Sequence, residues 1–168
     1  MSRIEEATTG DAQEVIQYFK VVADETSFLS FGSTEFNKTV EVERKIIAQH
    51  REAENQLFIL AKIQEKIAGI LTVSANQKMR MKHKGEVGIS VLQAYWGQGI
   101  GTTLMEYMIV WAKSNGVTRK LNLYVAVNNT TAIGLYKKMG FVEEGKMRRD
   151  SLINGDFVDC YCMGLLID

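Results

Sequence analysis

The chain has 168 residues, 46% of them hydrophobic and 24% charged, which is ordinary for a soluble globular protein. Twenty basic side chains balance twenty acidic ones, which argues against nucleic acid or an anionic membrane as the main partner. No apolar run approaches the length of a membrane span, and residues 1–6 lack the pattern of a signal peptide. We expect a single domain over residues 1–168.

The first half of the chain predicts three strands and two helices. Helical spacing appears at Val15, Ile16, Phe19 and Val22, and again at Val42, Ile46 and Ile47. The strands are predicted at 3–7, 57–63 and 67–75, with a tight hairpin at 64–66 and an irregular loop at 26–37.

The second half predicts four strands and two helices. A polar link at 77–85 leads to a strand at 86–92, a glycine-rich loop and a helix that ends at Asn115-Gly116. A strand at 120–127, a helix capped by Asn128 and Asn129, and strands at 141–148 and 157–167 follow. This order mixes helices with a largely antiparallel sheet and indicates the α+β class.

Cys160 and Cys162 are the only cysteines, and they lie two residues apart in a strand-like segment. A disulfide at this separation would be strained, and two thiols without nearby histidines make a poor zinc site. We therefore expect two reduced thiols, no metal site and a cytoplasmic location.

The glycine-rich loop is the most informative segment. Glycines at alternate positions leave its backbone N–H groups uncovered, and a helix start adds unsatisfied donors and a partial positive charge. Such a site binds phosphate or pyrophosphate without a lysine. The residues predicted to form it are Gly97, Gln98, Gly99, Ile100, Gly101, Thr102 and Thr103.

Known phosphate-binding patterns narrow the interpretation. The P-loop is excluded because Thr102, not lysine, follows Gly101, and the dinucleotide fingerprint fails on glycine spacing. Residues 96–101 resemble the acetyl-CoA loop of the GNAT N-acetyltransferases, Gln/Arg-x-x-Gly-x-Gly/Ala, except that Trp96 stands at the first position. A glycine-rich turn that only connects a strand to a helix is the alternative.

A second segment, residues 128–141, resembles the GNAT signature Asn-x-x-Ala-x-x-Leu-Tyr-x-Lys-x-Gly-Phe. It begins about 30 residues after the loop, as in the family, and the element order matches along essentially the whole chain. The resemblance implies the GNAT fold: a mixed, mostly antiparallel twisted sheet of about seven strands flanked by about four helices.

The resemblance also implies an activity. A GNAT protein transfers the acetyl group of acetyl-CoA to a primary amine by direct attack in a ternary complex, without a metal. The acceptor would be a small-molecule or peptide amine, and homodimers are a family tendency. In the family, backbone at Ile89, Ser90 and Val91 pairs with the pantetheine arm, and the strand at 121–127 splays away to make room.

Two residues of the second segment receive roles from the resemblance. Tyr136 matches the general acid that returns a proton to the departing CoA thiolate, although its helical spacing is equally that of a core residue. Asn129 matches the asparagine that hydrogen-bonds the cofactor arm; a plain helix N-cap is the alternative.

The general base is not evident. Several family members carry it as a glutamate at the position of Tyr124. Glu86 is the first candidate instead, because it shares the polar face of its strand with Gly88 and Ser90. A water chain, with Glu86 an ordinary surface residue, is the alternative. Neither His50 nor His83 has a sequence context that suggests catalysis.

Two other functions stay open at this level. The same scaffold could transfer a different acyl group, such as succinyl. The absent glutamate also allows a regulatory domain that binds acyl-CoA without turnover.

Overall fold

The computed structural model describes residues 2–29, 32 and 35–168. The strands are β1 (Arg3–Glu6), β2 (Leu57–Ile63), β3 (Lys66–Ala75), β4 (Lys84–Val91), β5 (Lys120–Ala126), β6 (Val142–Ile153) and β7 (Asp156–Leu166). The α-helices are α1 (Ala12–Glu25), α2 (Val40–Glu52), α3 (Ile100–Ser114) and α4 (Thr130–Lys138). In the predicted loop at 26–37, residues 30, 31, 33 and 34 lie outside the described part.

The seven strands form one sheet in the order β1-β2-β3-β4-β5-β7-β6. Every neighbouring pair is antiparallel except β4 and β5, which α3 connects by a crossover. The predicted fold class, a mostly antiparallel mixed sheet with four flanking helices, is confirmed.

The parallel pair is short, and this positions the site. Strands β4 and β5 are in register at Lys84 and Lys120, Gly85 and Leu121, and Glu86 and Asn122. The remaining residues of both strands do not pair with each other, so the strands diverge toward the glycine-rich loop. We call this opening the cleft.

Helices cover both faces of the sheet. The first face carries α3 and α4. Leu104, Met105 and Met108 of α3 are fully buried there. On the second face, Val15 of α1 and Ile47 of α2 pack over β2 and β3. Burial of these apolar side chains is the main favourable term in folding.

Two predicted boundaries differ from the structure by more than one residue. Strand β4 begins at Lys84 rather than at 86, because parallel pairing with β5 extends it. Strand β6 continues to Ile153 rather than 148. Most of β6 is exposed on both faces, so apolar and polar residues do not alternate regularly along it. A bulge after Met147, where Arg149 adopts φ 52°, also shifts the pairing with β7.

No helix in the described ranges is both long and apolar enough to cross a bilayer.

Shortening a buried side chain of α3 tests the packing of the core. Leu104→Ala removes a fully buried side chain and should lower the free energy of unfolding by about 3 kcal/mol in urea titrations. Val110→Ala on the same helix is the control, because Val110 is 68% exposed and the loss there should stay below about 0.5 kcal/mol. Equal losses would contradict the assigned packing of α3.

Candidate active site

The glycine-rich loop has the backbone that its sequence predicts. Gly97 and Gly99 adopt φ of 77° and 78°, a left-handed conformation that strains any residue with a Cβ. Gly99 is the N-cap of α3, and Thr103 donates the first intrahelical hydrogen bond to its carbonyl, at 3.0 Å. The N–H groups of Ile100, Gly101 and Thr102 precede that bond, so they are the free donors of the helix start.

At Gly101 the lack of a side chain matters for helix packing and not for backbone conformation. A Cβ on this residue would approach Cδ2 of Leu135 to 3.2 Å. The missing side chain therefore lets α4 pack closely against the first turn of α3. This packing brings the two segments with family resemblance side by side.

Backbone groups of β4 line the cleft. The N–H of Leu92 donates to Ala68 on the β3 side, at 2.9 Å, so the backbone groups of alternate residues point the other way, toward β5. Ile89 and Val91 are among them, and β5 no longer pairs at their level. Ser90 directs its backbone toward β3, and its hydroxyl lies 2.9 Å from the Tyr18 hydroxyl.

Trp96 stands at the mouth of the cleft. Its indole Nε1 donates to the carbonyl of Val91 at 2.9 Å, while the side chain stays 55% exposed. This bond satisfies the Val91 carbonyl and leaves the Val91 N–H directed into the cleft. The tryptophan thus ties the glycine-rich loop to the end of β4.

Helix α4 carries Asn129 and Tyr136. The Asn129 side chain accepts from the N–H of Ala132 at 3.4 Å, so it caps the helix as the alternative interpretation required. Tyr136 is 8% exposed and packs beside Phe141. Burial raises the pKa of the Tyr136 phenol to about 12. The ring is thus part of the core, and its hydroxyl stays protonated at neutral pH.

Glu86 lies at the closed end of the cleft, on the second face of the sheet. Its neighbours across the strands are Ser74 on β3 and Asn122 on β5. Oδ1 of Asn122 is buried and has no hydrogen-bond partner among the described residues. A bound water commonly satisfies such an acceptor. Glu86 itself is exposed, as its position on the polar face predicted.

Tyr124 occupies the second face as well, one level above Asn122, and is 47% exposed. The charge of a Cys162 thiolate, burial and the Glu86 carboxylate all raise the pKa of its phenol. Cys162 lies opposite Tyr124 on β7, and both cysteines are free thiols.

Sequence reasoning missed two polar contacts at this site. Tyr18 reaches Ser90 across 72 positions of the chain, and His50 reaches Ser74 across 24. No local pattern could signal either pair, because both depend on where the helices cross the sheet.

A groove of about 540 Å³ lies elsewhere, between β1 and the outer side of α3. Its lining includes Ile4, Val110 and Trp111, and of the predicted site residues it contains only Thr103. It lies apart from the unpaired backbone of β4, so the cleft is the better candidate site. The described residues contain no group of three or more potential metal ligands.

The fold and this site define an acyltransferase scaffold, and comparison with known proteins identifies the family. Residues 23–141 match the acetyltransferase (GNAT) family. The chain belongs to this family of acetyl-CoA-dependent N-acetyltransferases.

Individual N-acetyltransferases and a solved GNAT structure are also similar to this chain. An acetyltransferase of the GNAT family from Streptococcus pneumoniae has a crystal structure with a TM-score of 0.97, 36% identity and full coverage of both chains. The L-amino acid N-acetyltransferase AaaT of Escherichia coli is 34% identical over 62% of this chain and 65% of its own length. Spermidine N(1)-acetyltransferase of Vibrio cholerae is 29% identical over 78% of this chain and 73% of its own.

Charge at the loop should decide cofactor binding. Gly99→Asp places a carboxylate where the pyrophosphate is expected, so CoA should no longer raise the melting temperature of the variant. Gly116→Asp is the matched control: Gly116 has a similar φ of 76° and open space, but it lies at the other end of α3. Equal loss of the CoA shift in both variants would mean that strain, not charge, is responsible.

Proposed function

We propose that this protein transfers the acetyl group of acetyl-CoA to a primary amine by direct attack in a ternary complex, without a metal. One observation carries the proposal: a left-handed glycine loop at a helix N-terminus opens onto a cleft whose backbone is unpaired. We assign the whole activity to a single domain over residues 1–168. A reducing cytoplasm suits its two free thiols.

The loop would hold the pyrophosphate of acetyl-CoA through the N–H groups of residues 97–103. The pantetheine amides would pair with β4 at residues 89–91, in the manner of an added strand. Within that stretch the free groups of Ile89 and the Val91 N–H face the cleft, whereas Ser90 would contribute only by position. Asn129 would meet the arm from α4.

Bound acetyl-CoA supplies an electrophilic thioester. Strand N–H groups directed into the cleft would polarise its carbonyl oxygen and stabilise the negative charge that develops there during attack. This assignment needs no side chain and agrees with the backbone orientation of Ile89 and Val91.

Glu86 is the proposed general base. An aliphatic amine titrates at about pH 10, so at neutral pH it arrives as an ammonium ion and must lose a proton before it attacks. Glu86 is an exposed carboxylate on the second face, at the closed end of the cleft, where it could receive that proton directly. A water held by Asn122 offers the alternative route.

Tyr136 is the proposed general acid. Tyr136 belongs to the apolar cluster on the first face of the sheet, whereas Glu86 lies on the second face. Burial raises the pKa of the Tyr136 phenol to about 12, so the phenol holds its proton at neutral pH. The same shift makes it a weaker acid than a thiol, so the assignment of Tyr136 rests on the family resemblance and not on its pKa.

An acceptor panel tests the proposal as a whole. The similar proteins are named for amino acids in one case and for spermidine in another, so the panel should hold L-amino acids, polyamines, a simple alkylamine and a tripeptide. Release of free CoA thiol with any of them would support transfer. Tight binding of acetyl-CoA without thiol release would favour a regulatory acyl-CoA-binding domain. Thiol release only from another acyl-CoA would mean that the protein transfers a different acyl group.

Tyr136→Phe should separate catalysis from packing. The variant keeps the buried ring and loses only the proton, so kcat should fall by about 100-fold with little change in melting temperature. Thiol release and thermal unfolding measure the two effects. Wild-type turnover would show that Tyr136 serves only the core.

Glu86→Gln should produce a pH-dependent defect. Turnover should fall at pH 7, while acetyl-CoA affinity stays unchanged because Glu86 lies away from the glycine loop. The deficit should shrink toward pH 9–10, where more of the amine is already deprotonated. A pH–rate profile identical to that of the wild type would remove Glu86 from the mechanism and leave the water route.

A further inference from the structure

His50 of α2 is held in one tautomer. Its Nδ1 lies 2.8 Å from the carbonyl oxygen of Ile46. A carbonyl oxygen only accepts, so Nδ1 must carry the ring proton, and in the neutral ring Nε2 presents a lone pair. Burial, together with the charge of Lys38, lowers the pKa of His50 below its usual value. The ring is therefore neutral at pH 7.

Ser74 of β3 is the partner of that lone pair. Its Oγ lies 3.4 Å from Nε2 of His50. Because Nε2 carries no proton in this tautomer, the hydroxyl of Ser74 must be the donor. The edge of the His50 ring also rests against Phe58, with centroids 5.6 Å apart, which fixes its position above β3.

Ser74 is thereby left with an acceptor surface. A hydroxyl has one proton and two lone pairs, and the proton is committed to His50. Ser74 is exposed, and it lies directly opposite Glu86 in the pairing of β3 with β4. The strand register therefore places its free lone pairs on the same open face of the sheet as the Glu86 carboxylate.

We infer that Ser74 accepts a hydrogen bond from the amino group of the acetyl acceptor, and that His50 is a positioning residue that holds Ser74 in this role. The inference rests on the proposed function. An ammonium ion carries three donors and no acceptor. A serine with a fixed outward lone pair beside a carboxylate matches that pattern, whereas a freely rotating hydroxyl would present its proton part of the time.

Steady-state kinetics with the panel amine that releases most thiol test the inference. Ser74→Ala should raise KM for the amine roughly tenfold, with kcat and the KM for acetyl-CoA within about twofold of wild type. His50→Leu should give the same change, and the double variant should add nothing further, because both remove one hydrogen-bonded unit. Ser74→Thr and His50→Gln, which keep a hydroxyl and an acceptor oxygen, should recover most of the affinity.

His83 provides the matched control. It is the other histidine, its side chain is exposed, and its carbonyl rather than its ring makes the contacts with β5. His83→Leu should leave both KM values unchanged. Additive effects of His50→Leu and Ser74→Ala, or a normal amine KM in Ser74→Ala, would overturn the inference.

Nitrogen-15 NMR of the histidine rings supplies a readout that does not need turnover. At pH 7 we expect His50 to be protonated at Nδ1 only, and its Nε2 resonance to shift in Ser74→Ala while that of His83 does not. A His50 protonated at Nε2 would overturn the inference. Thiol release in the wild type with an unchanged amine KM in Ser74→Ala would overturn the inference alone, whereas no release from any amine would overturn the proposed function as well.

Discussion

The early divergence of β4 and β5 is the constraint on which the rest of the site depends. Two parallel strands that paired along their full length would leave no opening in the sheet. Here pairing stops after Glu86 and Asn122, and the seven-stranded sheet stays continuous only through that short contact. The glycine-rich loop, the free backbone of β4 and the start of α4 all face the space that results.

The divergence has a cost, because backbone N–H and C=O groups without partners are unfavourable when buried. The chain offsets part of it with the indole of Trp96, which occupies the Val91 carbonyl. The remaining groups, at Ile89 and at the Val91 N–H, are left for water or for a ligand with amide groups. An extended arm that bonds like a strand satisfies them in a way that few other ligands can.

The cleft also connects two chemically different faces of the sheet. The first face is apolar, and there burial raises the pKa of the Tyr136 phenol. The second face beyond α1 and α2 is wet and carries hydroxyl and carboxylate groups, among them Ser74 and Glu86. In the proposed mechanism, this separation would keep the proton donor Tyr136 and the proton acceptor Glu86 on opposite faces of the sheet.

The sequence by itself determined the fold class and the loop. The glycine spacing at 97–101, the asparagine-led segment at 128–141 and the apolar periodicity are local features, and local features are readable along the chain. The full length of β6 could not be read in this way, because exposed charged residues and a bulge obscure the alternation of apolar and polar residues along the strand. Only the tertiary structure showed that Gly101 allows α4 to pack closely on α3 and that Trp96 donates a hydrogen bond to the Val91 carbonyl. It also showed that the His50 ring contacts the Ser74 hydroxyl. Each of these contacts joins elements whose relative placement follows from how the helices cross the sheet, which no single segment encodes.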